Sequence, residues 1–152
     1  MSEGKITMVD ISSKPDVPRI ATAMGKIKLR PETIRSIIRG EIKKGDPLTN
    51  AKYAAVNAVK QTSSLVFLAH PIPIMNVEVK FSVDEKDSMV AIEVTVKSIG
   101  KTGVELEALS GVMLGLLAIW DMCKYLEKND KGQYDETEII SVKVLRKEKI
   151  LE

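Results

Sequence analysis

The chain has 152 residues, enough for one domain that buries a core without disulfide or metal staples. Hydrophobic residues make up 44% and charged residues 29%, an ordinary globular balance, and 23 basic residues against 21 acidic ones leave a net charge of +2. So small an excess, with aromatics at 4%, argues against a nucleic-acid partner, which needs a basic face and stacking rings.

A single cysteine, Cys123, cannot form an intrachain disulfide, and with His70 as the one histidine a four-ligand Cys/His zinc site within a single chain is excluded. A carboxylate-held Mg²⁺ stays open. Met1 to Met8 lacks an apolar signal core, and Ala108 to Ile119 is too short to span a bilayer, so no membrane partner is expected and a cytoplasmic location is. The organisation predicted is an N-terminal arm over residues 1–18 followed by a single α+β domain over residues 19–152.

The arm is rich in Ser, Gly and Pro, with a short strand predicted around Ile6 to Ile11 and a second extended segment from Arg19 to Leu29. Pro31 to Arg39 reads as a helix, with Pro31 and Glu32 suiting its first turn and Gly40 its stop. Pro47 to Leu65 reads as a second helix, because Ala51, Ala54, Ala55, Ala58 and Val59 share a face. Val77 to Val83 and Val90 to Lys97 alternate apolar and polar residues around a short polar link, which predicts a hairpin with one buried face.

Thr102 and Glu105 have the spacing of a capping box, opening a third helix that runs to about Leu126. That helix is apolar on nearly every side from Ala108 to Ile119, more than one sheet can cover, so a second subunit is expected against it. Ile140, Val142 and Val144 mark a last strand. Helices on one face of a mostly antiparallel sheet make an α+β two-layer sandwich, ferredoxin-like in arrangement.

Taken alone, the polar residues leave alternatives open. Lys44-Gly45-Asp46 is a charged turn after a helix stop. His70 lies in a proline-bounded loop, where structural and titrating roles are equally open. Asp121 and Lys124, at i and i+3, are either a surface ion pair or an acid–base pair at the rim of the core. Glu107 shares their face but lies roughly 21 Å away along the helix axis, too far for one compact pocket in one chain. No P-loop, dinucleotide fingerprint or nucleophile elbow is present.

Five segments together resemble the molybdenum cofactor biosynthesis protein C family, MoaC. They are Met8-Val9-Asp10-Ile11-Ser12, Lys44-Gly45-Asp46, Leu68-Ala69-His70-Pro71, the run Lys101-Thr102-Gly103-Val104-Glu105-Leu106-Glu107-Ala108-Leu109, and Asp121-Met122-Cys123-Lys124. The resemblance implies a hexamer of ferredoxin-like subunits, a trimer of dimers with sites at subunit interfaces. It implies a lyase reaction in which a small-molecule substrate, 3′,8-cyclo-7,8-dihydroguanosine triphosphate, becomes cyclic pyranopterin monophosphate and pyrophosphate, with no cofactor required beyond an optional Mg²⁺.

By the same resemblance Asp121 is the catalytic aspartate, and Lys44, Lys124 and His70 join it in catalysis. Leu68, Ala69, His70, Leu106 and Glu107 match substrate-binding positions, and Arg19, Lys60 and Lys147 match basic positions of the pocket. Three departures stand out. Ala69 occupies a position where the family usually has cysteine, Trp120 replaces a common tyrosine, and Glu148 to Glu152 replaces a glycine-rich tail behind a polar insertion. The competing reading is a non-catalytic ferredoxin-like oligomer that binds a small ligand.

Overall fold

The computed structural model describes residues 4–151. Its elements are β1 (Val17–Lys28), α1 (Pro31–Arg39), α2 (Pro47–Leu65), β2 (Ile74–Asp84), β3 (Met89–Gly100), α3 (Glu105–Glu127) and β4 (Glu138–Lys149). The strands pair antiparallel in the order β2-β3-β1-β4. Each helical crossover thus skips one strand, which is the split β-α-β arrangement of the ferredoxin-like sandwich. The predicted α+β fold is the observed one.

Local chemistry places the helices. Pro31 opens α1, and Gly40 ends it at φ 69, a left-handed conformation that glycine enters without a Cβ penalty. Asp46 caps α2, its side chain accepting from the Leu48 amide at 3.0 Å. The core lies between the sheet and helices α2 and α3. Ala21, Ala23 and Ile27 of β1 and Val90, Ile92, Val94 and Val96 of β3 meet Ala51, Ala55 and Val59 of α2 and Ala108, Val112, Leu116 and Ile119 of α3.

Helix α3 is by length and composition apolar enough to cross a membrane, but it packs on β1, β3 and α2 as the central core helix. Two glycines let it approach. A Cβ on Gly111 would sit 3.0 Å from Val59 Cγ2 and 3.3 Å from the Ala55 carbonyl oxygen, and one on Gly115 would sit 2.5 Å from Ile92 Cδ1. At the far end of α3, buried Glu127 accepts from the Arg30 amide with both oxygens at 3.1 Å, from the Thr33 hydroxyl, and from the Thr137 hydroxyl at 2.6 Å. One carboxylate therefore ties α3 to the start of α1 and to the approach to β4.

Three sequence expectations need correction. Residues 4–16 form no strand, so the short strand at Ile6 to Ile11 is absent; the first three residues of the arm lie outside the described residues. The capping box does not form, because Val104, buried to 1% exposure, is the N-cap and Glu105 is already helical. Glu105 Oε1 instead takes the Lys147 ammonium at 3.2 Å. The last strand is also longer than its apolar core suggests. A bulge with Ser141 at φ 56 restores its pairing with β1, and the charged tail continues the strand through Lys149, after which the Ile150 amide donates to Pro18.

Gly111→Val should destabilise the fold by about 1–3 kcal/mol, because its neighbours are a β-branched side chain and a backbone carbonyl with little room to yield. Urea unfolding followed by far-UV circular dichroism measures this; an unchanged midpoint would mean that α2 and α3 can separate freely.

Candidate active site

The two ends of α3 each border a cavity. At the C-terminal end, the Asp121 carboxylate receives Lys124 Nζ at 3.1 Å from one turn further along α3 and Lys44 Nζ at 3.4 Å from the loop between α1 and α2. Hydrogen bonds from Lys124, then from Lys44, hold the Asp121 carboxyl below its ordinary value, so it is ionised throughout the neutral range. The three side chains are about half exposed, which leaves them reachable by a ligand. The cavity beside them measures about 480 Å³ and is lined by Lys44, Asp46, Thr49, Asn50, Tyr53, Asp121 and Met122. A carboxylate between two ammonium groups can pass protons, and the paired cations can neutralise a phosphate.

At the N-terminal end, a second cavity of about 420 Å³ is bounded by the Leu68-Ala69-His70 loop, the first turn of α3 with Leu106 and Glu107, and the arm residues Thr7, Val9 and Ile11. His70 Nε2 lies 2.7 Å from the Val9 carbonyl oxygen, and since a carbonyl only accepts, that nitrogen carries the hydrogen. Glu107 is 3% exposed, and its Oε1, like Oε2 of Glu105, is buried with no hydrogen-bond partner. Burial is the main cause that raises the Glu107 carboxyl above 4.5, with the Glu105 charge adding to it against a hydrogen bond from its own amide. Glu107 therefore lines the cavity with hydrogen-bonding capacity that the chain itself leaves unfilled.

The sequence-predicted residues thus fall into two places in one chain. Lys44, Asp121 and Lys124 converge; Leu68, Ala69, His70, Leu106 and Glu107 converge; no residue lines both cavities. Lys147 joins the second group through Glu105. Arg19 donates to the Gly100 carbonyl at 3.2 Å, at the strand end that leads into α3. Lys60 stands exposed on α2 and borders neither cavity. Cys123, between Asp121 and Lys124, points into the core, where burial pushes its thiol up to about 12, so it is a protonated packing group.

Sequence reasoning missed Thr49, Asn50 and Tyr53, although with Asp46 they fall at i, i+3, i+4 and i+7 on α2, a polar stripe opposite its alanines. It also missed Tyr125, whose hydroxyl oxygen accepts the Lys43 amide at 2.9 Å.

Glu107 should make stability fall as pH rises. Its carboxyl is raised in the folded chain, so its contribution is complete below 4.5 and lost as pH climbs through the folded value. Glu107→Gln cannot ionise and keeps that contribution, so the variant should gain on the parent chain as pH rises from 4.5 through the folded value and then level off, in urea midpoints. A difference independent of pH would assign Glu107 an unshifted carboxyl.

Comparison with known proteins bears on both ends of α3. The model of the MoaC family matches residues 8–149. A protein of Methanothermobacter thermautotrophicus, named "Probable cyclic pyranopterin monophosphate synthase accessory protein", is 49% identical over 97% of this chain and 92% of its own length. A protein of Archaeoglobus fulgidus named "Probable cyclic pyranopterin monophosphate synthase" is 49% identical over 98% and 94%, and one of the same name from Pyrococcus furiosus is 44% identical over 97% and 93%. With a family match across nearly the whole fold, the chain belongs to the MoaC family.

Proposed function

We propose that this chain is a cyclic pyranopterin monophosphate synthase, a lyase that converts 3′,8-cyclo-7,8-dihydroguanosine triphosphate to cyclic pyranopterin monophosphate and pyrophosphate in the cytoplasm. The observation that carries the reading is the ionised Asp121 between Lys44 and Lys124 on a ligand-sized cavity.

The chemistry makes two demands. Opening and reclosing a purine-derived ring moves protons on and off nitrogen, work for an ionised carboxylate beside ammonium donors. Closing a cyclic phosphate expels pyrophosphate, whose charge Lys44 and Lys124 stabilise. Asp121, Lys124 and Lys44 are accordingly placed at the phosphate end. Glu107, Leu68, Ala69 and Leu106 hold the heterocycle, His70 both binds it and moves its protons, and Arg19, Lys60 and Lys147 are outlying cations. The reaction is redox-neutral and needs no redox cofactor. A resident Mg²⁺ does not fit the first cavity well, since Asp46 is committed to capping α2 and Asp121 to two lysines; Mg²⁺ enters this reading only as a companion of the substrate's phosphates.

Two cavities at opposite ends of one helix become one site if two chains pair. Leu106, Met113, Leu114 and Leu117 lie 43%, 46%, 36% and 52% exposed on one face of α3, too much apolar surface to leave in water. Glu107 and Asp121 are each seven residues from Leu114. A twofold axis at Leu114 sets antiparallel α3 helices together and brings the Glu107 end of one beside the Asp121 end of the other. Three such dimers make the expected hexamer.

Incubation of the protein with 3′,8-cyclo-7,8-dihydroguanosine triphosphate should release pyrophosphate and a pterin that becomes fluorescent on oxidation. Asp121→Asn and Lys44→Ala should each lower turnover by about 10²–10⁴-fold without dissociating the oligomer; normal turnover in either removes that residue from the mechanism. Leu117→Glu should break the α3 pairing, seen in sedimentation as an assembly smaller than the parent's, and abolish turnover; an active species without that pairing would refute the shared site. A specific feature favours the non-catalytic reading: Ala69 replaces a cysteine usual in the resembled family, and one relative bears the name of an accessory protein. Tight binding by an intact oligomer with no pyrophosphate released would select it.

A further inference from the structure

Lys44 sits on a four-carbon stem, and its side chain is 50% exposed. Little packing directs it, so the placement of its backbone decides where the ammonium goes. That backbone is a tight turn. Gly45 adopts φ 117 and its amide donates to Ile42 at 3.0 Å, while Ile42 itself is 5% exposed in the core. Past the turn, Asp46 is fixed by capping α2.

Between those anchors one hydrogen bond holds the backbone of the turn against α3. The Lys43 amide donates to the Tyr125 hydroxyl oxygen at 2.9 Å, and Lys43 Nζ lies 5.4 Å from the centre of the same ring. Tyr125 follows Lys124 and stands one turn beyond Asp121. The last turns of α3 therefore grip residues 43 and 44 together, one by its amide and the other by its ammonium.

We propose that Tyr125 is a positioning residue, which sets the Lys44 ammonium on Asp121 by holding the backbone of Lys43. Its importance to turnover rests on the reading that Lys44 acts in the reaction; its effect on Asp121 does not.

The test is a ¹³C NMR titration of the Asp121 carboxyl in the intact protein. Lys44 and Lys124 are the charged groups that face it. Tyr125→Phe keeps the ring and removes the acceptor. It should raise the Asp121 titration midpoint, as Lys44→Ala does, and add nothing further in a Lys44→Ala background. Identical Asp121 titrations in the parent chain and Tyr125→Phe would overturn the proposal. Lys43→Gln removes the charge over the ring while leaving the amide bond, so it should move Asp121 less; an equal or larger shift would overturn the assignment to the hydroxyl.

In turnover, Tyr125→Phe should lower kcat about three- to tenfold, the weight of one hydrogen bond, with KM little changed and no further loss in Lys44→Ala. If the Asp121 titration moves while turnover does not, positioning stands and the catalytic role of Lys44 falls.

Discussion

The close seating of α3 against α2 and the sheet is the constraint on which the rest of the molecule depends. A side chain at position 111 would press on Val59 and the Ala55 carbonyl, and one at 115 would have to displace the end of Ile92, so the glycines let the helix sit this near without strain. That proximity buries one side of a very apolar helix inside a small domain and leaves the other as an uncovered leucine and methionine face. It also fixes both ends of the helix. The N-terminal turn delivers Leu106 and Glu107 to one cavity, and the C-terminal turns deliver Asp121 to the other. A rigid helix holds the two cavities a fixed distance apart.

Two buried glutamates on α3 show how the same side chain serves different ends. Glu127 has its oxygens met by an amide and two hydroxyls, so its burial costs little and joins three elements. Glu107, twenty residues earlier, has one oxygen with no partner. The first is closed upon itself and structural. The second keeps one oxygen unmatched within the chain and carries the desolvation cost as a raised carboxyl.

Much of the fold was legible because its signals are local and periodic. Both proline-started helices run over the predicted spans, Gly40 stops α1, and the hairpin strands alternate as written, since these features follow from backbone chemistry and a two- or 3.6-residue period. Several failures share a cause. The Thr102–Glu105 pattern is local, but burial of Val104 and the pull of Lys147 on Glu105 decide where the helix starts, and both are tertiary. The Ser141 bulge, the Glu127 anchor and the Tyr125 grip likewise join residues far apart in sequence. At the site, Asp121 and Lys124 were legible at helical spacing. Their meeting with Lys44 came from resemblance to a family, because no spacing rule connects positions 77 residues apart.

The anchoring of Glu127 also bears on how the chain acquires its shape. Its partners Arg30 and Thr33 lie 97 and 94 residues away, and β1 must pair with β4 from the opposite end of the molecule. Such contacts reward the chain only after long loops have closed, which slows folding relative to a helical bundle of the same size. During synthesis, β1 leaves the ribosome long before β4 and must wait, its edge unpaired, until nearly the whole chain has followed. The polar loop before β4 lengthens that wait, and the charges along β4 keep its exposed face soluble until it docks.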